Sequence, residues 1–224
     1  MQRERLLTGA VVLMGVAALV TTAFVLRREL TASRPEPVDV RPRQVKGWER
    51  YLEPGHRVGP ANAAVAIIEF SDFQCVYCRQ HAEHLARLRR AHPRDVAIVF
   101  RHFPVTERHP HAYQAALATE CAREQGAFEP YRAALFRGQA SIGRASWLHF
   151  AREAAVPDTV DFARCMEDDR HGRRIARDLA DGRRLGIPAT PTSLINGLKV
   201  VGAVEEQVAA AVRDALSGAG GARP

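Results

Sequence analysis

Lysine is almost missing from this 224-residue chain, which carries its positive charge on arginine apart from Lys46 and Lys199. The formal charge of +7 is the balance of 32 basic and 25 acidic side chains, interspersed so that no block of like charge forms. Aromatic residues are also scarce, at 7%. Nucleic-acid binding needs a concentrated basic footprint with stacking aromatics, so the charge reads as solvated surface and nucleic acid is not an expected partner. There is no glycine-rich phosphate loop, no nucleophile elbow and no internal repeat, which removes three common functional classes. The length suits one domain with a sizeable core and an appendage.

What is present begins with a long apolar run. Leu6 to Leu26 carries no charge over 21 residues, and a helix of that length covers roughly 30 Å, the hydrocarbon thickness of a bilayer. A transmembrane anchor over 6–26 is therefore expected, contacting the lipid bilayer and preceded by a short tail at 1–5. A cleavable signal peptide fits less well, because its apolar stretch is shorter and Thr21-Thr22-Ala23 is a poor cleavage site. Charge bias works against an extracytoplasmic domain: Arg3 and Arg5 precede the run, while Arg27, Arg28, Arg34, Arg41, Arg43 and Lys46 follow it. Residues 27–60 contain five prolines and no sustained periodicity, which predicts an extended linker, with Trp48, Tyr51 and Leu52 available to pack back.

The folded part is expected over 61–216. "AAVAIIEF" (63–70) predicts a strand buried on both faces, and "CVYCRQHAEHLARLRRAH" predicts a helix ended by Pro93. "VAIVFRHF" from Val96 completes a β-α-β unit. Residues 110–184 are helical in composition with glycine and proline interruptions, predicting several short helices. "TSLING" and "LKVVGA" flank Asn196-Gly197, a strong hairpin signal. A helix from about Val204 to Leu216 follows, then a flexible tail over 217–224.

The chemistry concentrates at "EFSDFQCVYC". Cys75 at a helix start would sit among unpaired N–H groups and the positive end of the helix dipole, which stabilise a thiolate nucleophile. Cys78, one turn on, would act as resolving thiol. Cys75, Cys78, His81 and His84 recur every three residues, but each step advances about 300°, so the four drift around the helix and do not suit one tetrahedral zinc. No metal is assigned, and His81 and His84 are expected on the helix surface. Two buried structural sulfurs remain the alternative. Glu69 interrupts an apolar strand: either a buried acid with raised pKa that exchanges protons with Cys78, or a strand-end residue reaching solvent. Pro191, directly before a strand, implies a cis bond after Thr190 or a strand at an edge. A cis bond would turn the Thr190 backbone toward the dithiol. His109 and His111 form a metal-like pair only locally, and Glu167-Asp168-Asp169 reads as a solvated face.

With these residues in place, the chain from about Arg57 to Leu216 resembles the DsbA-like thiol-disulfide oxidoreductases of the thioredoxin superfamily, of the membrane-anchored or exported bacterial type. "EFSDFQCVYC", "RHFP", "AFEPYRAALF" and "LGIPATPTSLINGLKVVGA" carry the likeness. It implies an α/β thioredoxin fold with a helical insertion at about 105–186, here preceded by the transmembrane helix. It also implies Glu69 as buried acid, Cys75 as nucleophile, Cys78 as resolver and Pro191 as cis-proline beside Thr190, with a redox-active disulfide and no cofactor. Such enzymes commonly have proline after the first cysteine, and the strongest oxidants have histidine before the second. Val76-Tyr77 stands there instead, so a less extreme potential is expected. Glu129 replaces a common aromatic. Cys121 and Cys165 are free buried thiols or, as in some relatives, a structural disulfide closing a loop of about 45 residues and stabilising by at most about 4 kcal/mol. An even cysteine count fits an oxidising compartment.

The expected function is extracytoplasmic, on the periplasmic or cell-envelope side: disulfide donation to exported proteins with cysteine thiols, and reoxidation by a membrane redox partner. A reductase or isomerase, or a non-enzymatic client- or metal-binding module, is the alternative.

Overall fold

The computed structural model describes residues 2–31 and 39–220 and, within its first helix, the side chains of Gly9 and residues 13–28. Two units result, Met1–Asp39 and Val40–Pro224. The first contains helix α1 (Gln2–Thr31). The expected membrane span does not stand: among the described residues no helix is long and apolar enough to cross a membrane. The described, largely apolar side chains of α1 run from Leu13 to Leu26, with Arg27 and Arg28 next. Apart from Gly9, the side chains of residues 6–12 lie outside the described ones.

The second unit is built on a six-stranded sheet: β1 (Arg43–Gln44), β2 (His56–Val58), β3 (Val65–Ser71), β4 (Val96–His102), β5 (Thr192–Ile195) and β6 (Leu198–Val201), in the order β1-β6-β5-β3-β4-β2. β3 and β4 are parallel, in register from Val65–Val96 to Ser71–His102, and the crossover between them is α2 (Val76–Ala91). All other pairings are antiparallel. Residues 43–58, expected as part of a linker, thus supply both edge strands and a 3-10 turn at Trp48–Tyr51. These strands are too short to show periodicity. Arg43 and Gln44 pair with β6, and the Val45 N–H donates to the Gly197 carbonyl at 2.8 Å. Residues 32–38 lie outside the described residues.

β3 and β4 are buried along their whole length because both sheet faces are covered, which is why neither shows polar alternation. Val65, Ile67, Val96 and Ile98 pack with Leu85 of α2 and with Val208 and Val212 of α8 (Glu205–Gly220). Ile68, Phe70 and Val99 face Tyr51, Leu185 and Ile187 on the opposite side. α8 extends through residues 217–220, expected as tail, where the Ser217 hydroxyl donates to the Arg213 carbonyl at 3.0 Å. Residues 221–224 lie outside the described ones. At the hairpin, Asn196 and Gly197 have φ of 42° and 88°, as a two-residue turn of this kind requires. The Asn196 side chain also ties the turn to the start of β3, accepting from the Ala66 N–H at 2.8 Å and donating to the Ala64 carbonyl at 2.9 Å.

Between β4 and β5 lie α3 (Ala112–Glu124), α4 (Phe128–Arg137), α5 (Trp147–Glu153), α6 (Thr159–Glu167) and α7 (Gly172–Arg184). The helices of this block share a core with the active-site turn: Phe73 and Phe100 pack with Phe128, Leu135, Phe150 and Phe162. Asp158 caps α6, accepting from the N–H groups of Val160 and Asp161. Cys121 of α3 and Cys165 of α6 form a disulfide with a Cα separation of 5.8 Å.

His81 and His84 correct another expectation. They are buried, not on the surface, with 1% and 6% exposure. α8 and β5 cover the helix face on which they lie: His81 Nε2 is 2.8 Å from Ser193 Oγ, and His84 Nδ1 is 2.8 Å from Glu205. Burial lowers the His81 pKa to about 4.

Candidate active site

β3 delivers Glu69 and Ser71 to the base of the site, and the chain then turns through Asp72–Gln74 into α2. Cys75 is the residue before the first helical position, in extended conformation. Both cysteines are free. Cys78 is completely buried and Cys75 is 6% exposed, at a cleft of about 520 Å3 shared with Tyr77, Val105, His109 and Thr190. Val76 and Tyr77, 52% and 60% exposed, give this apolar surface beside the sulfur. From the helical block, the Gln139 amide donates to the carbonyls of Phe73 (2.7 Å) and Cys75 (2.9 Å) and fixes the turn.

The pKa values of the two sulfurs are displaced in opposite directions. The Cys75 pKa is lowered to about 6, first by a hydrogen bond from the Cys78 thiol; burial opposes this, while the Cys78 and Tyr77 N–H groups and the Thr190 side chain reinforce it. Cys78 is pushed well up, first by burial and then by the neighbouring Cys75 sulfur, with partial relief from the Asp72 N–H at 3.4 Å and from Ser71. A thiolate at Cys75 and a neutral thiol at Cys78 is the arrangement that makes one sulfur the nucleophile and leaving group and keeps the other in reserve.

Glu69 is fully buried and does not reach solvent. Burial raises its pKa against the opposing Arg132 guanidinium, 3.1 Å away on α4. The Ser71 hydroxyl favours the ionised form of both Glu69 and Cys78, so the acid and the buried thiol share a neighbour. The Thr190-Pro191 bond is cis, and the Cys75 sulfur lies 3.4 Å from the Thr190 carbonyl, which accepts from it when Cys75 carries its proton. Cys75, Cys78, Thr190 and Pro191 are therefore brought together, with Glu69 on the strand beneath. Cys121 and Cys165 are set apart in the helical block.

Sequence patterns did not mark Arg132, Gln139, Ser71 or the Asp72–His109 pair as parts of the site. Asp72, 1% exposed, accepts from the Gln74 N–H (2.7 Å), the Val105 N–H (2.8 Å) and His109 Nδ1 (2.8 Å). A charged residue inside the apolar approach to the cysteines was the available signal. Two of its three partners, Val105 and His109, lie more than thirty positions away. His111 does not join this pair and gives its N–H to the Gln74 side chain at 2.6 Å.

A family model described as "Thioredoxin" matches residues 52–214. Among solved structures, the chain is similar to a thioredoxin-like oxidoreductase from Silicibacter pomeroyi, with 28% identity, a TM-score of 0.65, and coverage of 77% of this chain and 99% of that one. It is also similar to DsbA2 of Pseudomonas aeruginosa, with 26% identity, a TM-score of 0.53, and coverage of 70% and 91%. A curated relative, the Na(+)/H(+) antiporter NhaA 3 of Salinispora tropica, is 36% identical over 165 residues, which is 73% of this chain and 25% of the antiporter. The chain thus spans about a quarter of the length of the curated relatives it matches.

Proposed function

The chain belongs to the thioredoxin family, as a thiol-disulfide oxidoreductase of the DsbA type, and from that premise we propose that it introduces disulfides into exported proteins on the extracytoplasmic side. A substrate thiolate attacks Cys75 of the Cys75–Cys78 disulfide; the S–S bond breaks and Cys78 leaves, taking up a proton. A second substrate thiolate attacks the substrate sulfur of the mixed disulfide, and Cys75 departs as thiolate. Two electrons pass to the dithiol, and a separate membrane redox partner removes them.

The observation that carries this reading is geometric: a free Cys75–Cys78 pair at the start of α2, with Cys75 opening on the cleft beside Thr190 and cis-Pro191, and the lowered Cys75 pKa beside the raised Cys78 supports it. A reduced form that holds a stable thiolate at neutral pH favours reduction of the enzyme and hence oxidation of the client. Glu69 supports it as the buried acid near Cys78, and the Thr190 backbone beside cis-Pro191 offers an extended client segment something to pair with. The bonded Cys121–Cys165 pair supports an oxidising compartment.

Equilibration of Cys75–Cys78 against glutathione tests the direction. A potential tens of millivolts above thioredoxin's roughly −270 mV is expected. A value at thioredoxin's own potential would sink the oxidase reading and leave a reductase or isomerase on the same fold, since fold does not set direction.

A further inference from the structure

The motif between the cysteines lacks histidine, yet an imidazole reaches the same cleft from the loop after β4. His109 lines the cleft with Cys75 and Thr190, and its side chain is 25% exposed. Its Nδ1 is 2.8 Å from Asp72 Oδ2. The Asp72 carboxylate is buried and held by two backbone N–H donors, from Gln74 and Val105, so it cannot swing away from the ring. A carboxylate accepts but does not donate, so the proton of the neutral imidazole belongs on Nδ1 and the lone pair on Nε2. The arrangement has the ordered base of a nucleophile–histidine–carboxylate site. Here the sulfur to be activated is the client's.

We propose that His109, oriented by Asp72, is the general base that removes the proton from the incoming client thiol through Nε2. This rests on the oxidoreductase reading above. An ordinary cysteine thiol has a pKa of about 8.5, so only a few per cent is thiolate at neutral pH, and exchange is limited by that fraction. In the step, the client S–H proton passes to His109, the client sulfur bonds to Cys75, the Cys75–Cys78 bond breaks, and the Cys78 sulfur carries away the electron pair and is protonated. The imidazolium then releases its proton to solvent. In the reverse direction the same imidazolium protonates the departing client thiolate. The other titratable or charged groups facing His109 are Asp72, Tyr77 and Cys75 from the turn and α2, and Glu107 and Arg108 from its own loop. The last two offset each other in sign. Asp72 is a positioning residue in this scheme.

The test uses the oxidised protein, in which neither active-site cysteine titrates, reacting with a dithiol peptide between pH 6 and 9. The His109→Gln variant keeps an amide able to donate to Asp72, and its melting temperature reports folding. Expected is a loss of about tenfold or more in rate near pH 6.5, shrinking to nothing by pH 9 where the peptide is already thiolate, with an unchanged potential against glutathione. Asp72→Asn gives a smaller loss with the same pH dependence. A His109→Gln protein as fast as wild type at every pH, or slower by one constant factor throughout, would overturn the base role while leaving the oxidoreductase reading intact. Wild-type protein inert to the peptide in both redox directions would overturn both.

Discussion

The chain carries two cysteine pairs in opposite conditions. Cys121 and Cys165 lie on α3 and α6, completely buried among alanine, phenylalanine and tyrosine side chains, and they are bonded. Cys75 and Cys78 lie one helical turn apart at a sheet-to-helix junction, and they are free. Burial alone does not separate them, since Cys78 is as buried as either structural sulfur. Polar neighbours alone do not separate them either, since Glu124 and His171 lie within 4.8 Å of the Cys165 sulfur; the difference is that N–H groups, the Thr190 side chain and a neighbouring thiol converge on an unbonded Cys75, and the cleft gives a client sulfur access to it. Exchange needs an attackable sulfur and a leaving thiolate. The helical block offers its pair neither.

The largest way to test this contrast is to exchange the fates of the two pairs. Cys75→Ser removes the nucleophile and leaves no measurable dithiol oxidation above buffer, with little change in melting temperature. Cys121→Ala with Cys165→Ala does the reverse, costing about 2–4 kcal/mol in denaturant unfolding while the folded protein exchanges near the wild-type rate. Loss of exchange in that double variant, measured under conditions where it is folded, would break the division of labour.

Alkylation gives a finer measure. The thiolate is the reactive form, so for a Cys75 pKa near 6 the iodoacetamide rate of the reduced protein climbs about tenfold from pH 5 to pH 7 and then levels. Cys78, displaced upward, stays unmodified over that range, as do Cys121 and Cys165. Labelling of either of the latter in non-reduced protein would show the helical pair to be open.

What the sequence revealed follows from how local each signal is. Val65–Ser71 and Val96–His102 are continuous β-rich runs, and Asn196-Gly197 needs only its own backbone angles; these could be placed without tertiary knowledge. The dithiol could be located because helix termini act on the adjacent residue. The polar partners could not. Arg132 meets Glu69 across 63 positions, and His81 meets Ser193 across 112; no periodicity encodes such meetings, and the three-residue spacing that spoke against zinc also wrongly placed both histidines in water. Strand β2 has only three residues, below the length at which alternation becomes visible. The apolar run at 6–26 suggested a bilayer span by composition, which the described part of α1 does not support.

Gln139 has a consequence for how this protein could be re-engineered or have diverged. One amide from the helical block holds the carbonyls on both sides of Gln74, so insertion and redox turn are not interchangeable modules. A chimera that took its helices from another oxidoreductase would inherit a loose turn unless the graft also brought a donor to that point. Recombination breakpoints that keep residues 73–75 and 139 in one parental block should therefore be the ones that survive selection for activity.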